Sequence, residues 1–143
     1  MPMERPPAGA YAHRIPDPAA AADVAAALGH VWADLVVALS PVIGPRGTAA
    51  LLQRSLHLAS AAHPWLLSAT PADKAALDPA PLVAQIARRD DAEASAATAC
   101  LLHTFDTLLA SLIGSSLTER LLRPVHSPAT TPPGGLAAQD PNP

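Results

Sequence analysis

From Val24 onward the chain places Val24, Leu28, Val31, Leu35, Leu39 and Val42 at intervals of three and four residues, all within one side of a helical wheel. Such a stripe is buried efficiently only as one face of an α-helix, and it predicts a first helix of about 22 residues ending near Ser40-Pro41. Alternating runs of β-branched and aromatic residues, which would announce strands, are absent. The chain is therefore expected to be all-α.

The boundary signals agree. Asp17-Pro18 reads as an N-cap followed by proline at the first helical position, where a missing N–H does no harm. After Gly44-Pro45 a second stripe runs through Leu51, Ser55, Leu58 and Ala62 and stops at His63-Pro64, because proline restricts the residue before it. Thr70-Pro71-Ala72-Asp73 and Asp78-Pro79 each open a short helix, to about Leu77 and to Arg89. Asp90-Asp91-Ala92-Glu93 is close to a capping box, with Asp90 as cap and Glu93 reaching back, and it starts a helix striped by Leu101, Phe105, Leu108 and Leu112.

That last helix cannot run unbroken to Arg123. A continuous wheel would turn Leu117 and Leu121 away from the stripe, so the phase must be reset between Ile113 and Leu117. Gly114 suits the left-handed residue after a helix end, and Ser116-Leu117-Thr118-Glu119 is a capping box for a new start. The pattern I-G-x-x-x-T-x-x-L-L thereby occurs twice, from Ile43 and from Ile113. Both copies read as helix, glycine corner, helix. Convergent corner chemistry is the first explanation, and an old duplication giving a pseudo-symmetric bundle is the second. A gapped echo, His30 to Asp34 against His103 to Asp106, points to the same duplication.

The expected architecture is a small helical bundle of four main helices, as two helix-glycine-helix halves, plus one or two short helices. Half the residues are apolar, yet Tyr11, Trp32, Trp65 and Phe105 are the only aromatics, so leucine and valine must build the core while alanine lets helices approach closely. Residues 1–16 and 124–143 are rich in proline and lack periodic apolar residues. They are expected to be a disordered lead and a disordered tail, leaving residues 17–123 as the folding unit.

A net charge of −3 gives no electrostatic reason to expect nucleic acid, which demands a basic stripe. The single cysteine, Cys100, excludes an internal disulfide and fits a reducing compartment. The opening stretch has no apolar core of the kind a secretory signal needs. Two segments are apolar enough to test as membrane spans, Val24 to Gly44 and Ala94 to Thr118. Each carries an aspartate and a histidine near its middle, which favours buried helices of a soluble, cytoplasmic protein. The alanine, proline and arginine usage resembles that of a high-GC bacterial genome.

Catalytic chemistry finds little footing. His30 with Asp34 and His103 with Asp106 each share a helix face, but the wheel turns all four away from the leucine stripes, so no metal is expected. Histidine phosphotransfer domains carry lysine and glycine about one turn after the active histidine. Here His57 is followed by Ser60 and Ala61, and His103 by Asp106 and Thr107, so the pattern is not met and a phosphotransfer-like signalling domain would have to be a divergent one. No phosphate loop or paired-carboxylate arrangement is present, and neither an enzyme nor a cofactor is expected.

Two surfaces remain. Arg46, Gln53, Arg54 and His57 share one helix face within a stretch, Leu35 to Ala72, that holds no acidic residue, and they are candidate contacts for an acidic partner or an anion. Opposite the leucine stripe of the last long helix lie Ala96, Ala99 and His103 where a solvated helix would display lysine and glutamate, so these residues and Trp65 are interface candidates. The expected function is a non-catalytic protein-interaction or regulatory module whose partner is another protein or a second copy of the chain, a homodimer. The alternative is a small-ligand or anion-binding bundle using Arg46, Arg54 and His57.

Overall fold

The computed structural model describes residues 11, 14, 15, 19–69 and 78–126. Helices make up 86% of them and none lies in a strand, so the protein is all-α. In chain order the elements are α1 (Ala21–Ala59), a 3-10 turn (Pro64–Ala69), α2 (Ala80–Ala87), α3 (Asp91–Ile113) and α4 (Ser115–His126).

Helix α1 is two limbs, residues 21–43 and 45–59, meeting at Gly44, where φ is 78° and ψ 164°. Gly114, between α3 and α4, has φ 92° and ψ 151°. Positive φ with extended ψ is a region essentially closed to residues with a Cβ. Gly114 thus has the positive φ expected of a left-handed residue but not its ψ: the chain takes one extended step and restarts. The Gly114 carbonyl already accepts the Thr118 N–H, so Ser116 lies inside the first turn of α4 rather than capping it.

Three contacts define the topology. The Ala21 N–H donates to Asp91 Oδ1 over 2.8 Å, and His63 Nδ1 lies 2.7 Å from Glu93 Oε2. Both ends of α1 therefore meet the start of α3, so the second limb folds back along the first. His126 Nε2 lies 3.2 Å from Asp106 Oδ2, which brings the end of α4 back beside the middle of α3. Trp32 and Phe105 meet edge to face at 5.7 Å, so the first limb and α3 run in parallel from their shared start. The result is an up-down-up-down bundle with both glycine corners at one end.

Burial repeats in a single ungapped register of seventy residues. Val24 and Ala94, Leu28 and Thr98, Val31 and Leu101, Trp32 and Leu102, Leu35 and Phe105, and Leu39 and Leu109 are buried in pairs. Past the corners so are Thr48 and Thr118, Leu52 and Leu122, and Ser55 and Val125. The Thr48 and Thr118 hydroxyls donate to the carbonyls of Gly44 and Gly114, each over 2.8 Å. The ten-residue pattern is the local trace of a repeated hairpin. The gapped His-to-Asp echo is not part of it, because the register pairs His30 with Cys100 and Asp34 with Thr104.

Several stripe members differ from expectation. Val42 and Leu112 are exposed because each sits two residues before its corner, where the helices end and offer no neighbour to cover it. In α3 the buried line runs through Leu101, Leu102, Phe105 and Leu109, with Leu108 half-buried; in the second limb it runs through Leu52, Ser55, Leu56 and Ala59, leaving Leu58 exposed. The short helix α2 packs on the first limb, where an ideal Cβ on Gly29 would lie 3.4 Å from Val83 Cγ2.

At the ends, Tyr11 and Ile15 are buried in the core, which corrects the expectation of a disordered lead at those positions. Helix α4 continues through Pro124 to His126 with Val125 buried, so the folded unit passes residue 123. The cap at Asp17-Pro18, the short helix from Thr70 to Leu77 and the tail from residue 127 lie outside the described residues. The described start of α1 is Ala21, with Ala20 in the cap position and no side-chain cap; Asp91 takes the free N–H instead. By length and composition α1 and α3 are each apolar enough to cross a membrane.

Candidate interaction surface

Burial in a small bundle follows from having a neighbour, and the corner end is where neighbours run out. Val37 is 75% exposed, Leu112 63% and Val42 44%, all on the two helices approaching the corners, while Leu67 at 51% and Leu58 at 41% are exposed away from them. Val42 and Leu112 are equivalent in the seventy-residue register. Pro41 and Pro45, on either side of the first corner, are exposed as well.

Next to this apolar end lies the basic face of the second limb. Arg46, Arg54 and His57 are exposed and Gln53 is half-buried. No other described residue receives a hydrogen bond or ion pair from the side chains of Arg46, Arg54 and His57. Arg46 follows the corner by two residues, which brings an exposed guanidinium to the rim of the apolar end. Sequence spacing already grouped these residues; the exposed Val37, Val42 and Leu112 were missed because their periodicity reads as core.

The other interface candidates separate. Ala96 and His103 are exposed and Ala99 is half-buried, on the outer side of α3. Trp65 belongs to the opposite end of the bundle. Its indole N–H donates to Glu93 Oε2 over 2.8 Å, the same oxygen that His63 reaches, and the Arg89 guanidinium stacks 4.6 Å from its ring. It packs on the core as a half-buried plug. The Glu93 carboxyl is held below the usual carboxylate range by the hydrogen bonds from Trp65 and His63. Asp90 caps α3 as expected, accepting the Glu93 N–H over 2.8 Å, but the Glu93 side chain closes the bundle end instead of reaching back.

Asp106, expected on a solvated face, is partly buried under the N-terminal segment. The Tyr11 hydroxyl donates to Asp106 Oδ1 over 2.6 Å, and the Tyr11 ring meets His126 edge to face at 4.5 Å. Burial first, and then the charge of Asp106, raises the Tyr11 phenol so that it stays protonated. Arg14 donates to the Val125 carbonyl over 2.7 Å and pairs with Asp34 over 2.9 Å. Proline density around Tyr11 hid this segment from sequence reasoning. Among the described residues no group of three or more His, Cys, Asp or Glu side chains could hold a metal ion, and Cys100 is a half-buried free thiol.

Compared with known proteins, the chain matches no protein-family model, no curated protein and no solved structure.

Proposed function

We propose that the protein is a non-catalytic, cytoplasmic interaction module that docks an apolar segment flanked by acidic residues on its corner end. The observation that carries this reading is the exposure of Val42 and Leu112 at equivalent positions, beside an exposed arginine in a stretch without acidic residues. Exposed apolar side chains rimmed by polar residues mark interaction surfaces, and arginine is among the residues enriched at binding hot spots. A second copy would bring Arg46 towards another basic rim, so an acidic partner fits the surface better than a homodimer.

The test is titration of an isotope-labelled chain with an amphipathic peptide of leucine and glutamate. Amide shifts should concentrate at Val37, Val42, Arg46 and Leu112 and vanish with Val42→Asp plus Leu112→Asp. Shifts elsewhere, or none, would sink the reading. A dimer by light scattering that the same two substitutions abolish would make the second copy the occupant. The anion-binding alternative rests on the free Arg46, Arg54 and His57 side chains, and it requires phosphate to raise the melting temperature in wild type but not in Arg46→Ala with Arg54→Ala.

A further inference from the structure

The two hairpins are covered differently. The 3-10 turn and α2 pack along the first hairpin. Over the second, Asp106 on α3 and Val125 and His126 on α4 are met by the segment that carries Tyr11, Arg14 and Ile15. The Tyr11 carbonyl accepts the N–H groups of both Arg14 and Ile15, at 2.9 and 3.0 Å, hydrogen bonds of the i to i+3 and i to i+4 kind. Its three anchors lie at i, i+3 and i+4, the spacing that puts side chains on one face of a turn.

Each anchor meets a distinct group. The buried Tyr11 phenol reaches Asp106 and the edge of His126; Arg14 bridges the Val125 carbonyl and Asp34; Ile15 completes the core. The seventy-residue register shows that this chemistry belongs to one side only, because Val36 and Leu56 stand where Asp106 and His126 would be. The hairpins themselves are joined without the segment, through Trp32 on Phe105 and Ala21 on Asp91.

We propose that the groove between the first limb of α1, α3 and α4 is a docking site for a helical turn on a partner protein. The turn would carry a phenol, an arginine three residues on and an aliphatic side chain next to it. Tyr11, Arg14 and Ile15 close the groove in cis. The cis occupant is itself the template for the partner's chemistry. Tethered close by, it competes at an effective concentration in the millimolar range, so the groove accepts a partner only when the segment is displaced.

The test uses the full chain with Tyr11→Ala plus Ile15→Ala, checked for cooperative melting, and a fluorescein-labelled peptide with the sequence of residues 9–20. By anisotropy this released chain should bind the peptide at least about tenfold more tightly than wild type. Replacing the arginine in the peptide by alanine, or adding Asp106→Ala to the released chain, should remove the gain. A folded released chain that binds no better than wild type overturns the proposal, as does equal binding of a peptide lacking tyrosine and arginine. If the released chain does not fold, Arg14→Ala in the full chain loosens the segment while keeping Tyr11 and Ile15, and peptide binding that fails to rise above wild type overturns it equally. A wild-type dimer lost with Tyr11→Ala would overturn the partner assignment and give the groove to a second copy's own segment. Val42→Asp plus Leu112→Asp lies at the corner end, so this outcome is independent of the corner-end reading.

Discussion

Replacing either corner glycine by alanine separates the corner from a straight helix by the sign of the effect. At Gly44 and Gly114 an added Cβ would meet nothing within 4 Å, so no clash enters and the cost is backbone alone. Holding a non-glycine residue at these angles costs about 1–3 kcal/mol. Against this, alanine has fewer unfolded conformations to lose, which returns about 0.4–1 kcal/mol. The net expectation for Gly44→Ala or Gly114→Ala is a loss of about 1–2 kcal/mol, or roughly 5–10 °C in melting temperature for a domain of this size.

The comparison that makes this decisive is Gly29→Ala. Gly29 lies inside the first limb, and its added Cβ would stand in ordinary contact with Val83 at 3.4 Å. Helix propensity then favours alanine by up to about 1 kcal/mol. Urea denaturation followed by far-UV circular dichroism should show the midpoint falling for the corner variants and holding or rising for Gly29→Ala, all with unchanged slope. Were α1 continuous through Gly44, Gly44→Ala would stabilise it as Gly29→Ala does. A raised midpoint for Gly44→Ala would therefore refute the hairpin.

Other outcomes follow from buried hydroxyls and from the closed bundle end. Thr48→Val keeps the buried shape but removes the bond to the Gly44 carbonyl, and should lower stability by about 1 kcal/mol in the same denaturation assay. Thr98→Val should do the reverse by a similar amount, because the Thr98 hydroxyl is buried with no hydrogen-bond partner among the described residues. The Glu93 carboxyl sits below its unfolded value, so its contribution is present above the unfolded pKa and is lost as pH falls through the folded one. Glu93→Gln should flatten the acid limb of stability below about pH 4.5, by a small amount because the carboxylate is partly exposed, with Trp65 fluorescence as the readout.

Fold class and corners were legible because they depend on local chemistry. Asp90 before a helix and glycine at a phase reset act within a turn or two, and both stand where the sequence places them, while intervals of three and four mark the helices but not every buried member of a stripe. What required the third dimension is equally specific. Leu112 has the periodicity of a core residue and is exposed, because periodicity marks a face but not where the neighbouring helix ends. Glu93 has capping-box spacing, yet donors from His63 and Trp65, thirty and twenty-eight residues away, hold its carboxylate. Tyr11 lies among prolines that argue against any helix longer than a turn, and one turn is enough to bury it.

The seventy-residue register also supplies a criterion for where function resides. At Val31 and Leu101, or Leu52 and Leu122, equivalent positions are both apolar and buried, as two hairpins that hold each other require. Where the register pairs an apolar residue with a polar one, the polar side chain either stays inside the core, as at Thr98 matching Leu28 and Ser55 matching Val125, or meets a specific partner. Ala21 against Asp91 is accounted for by the free N–H at the start of α1. Val36 against Asp106 and Leu56 against His126 coincide with the groove that Tyr11 fills. Val42 and Leu112 break the rule in the opposite way, being matched, apolar and exposed. Covering neither in the monomer is unfavourable by itself, and this exposure, repeated in both hairpins, is what the proposed docking surface rests on.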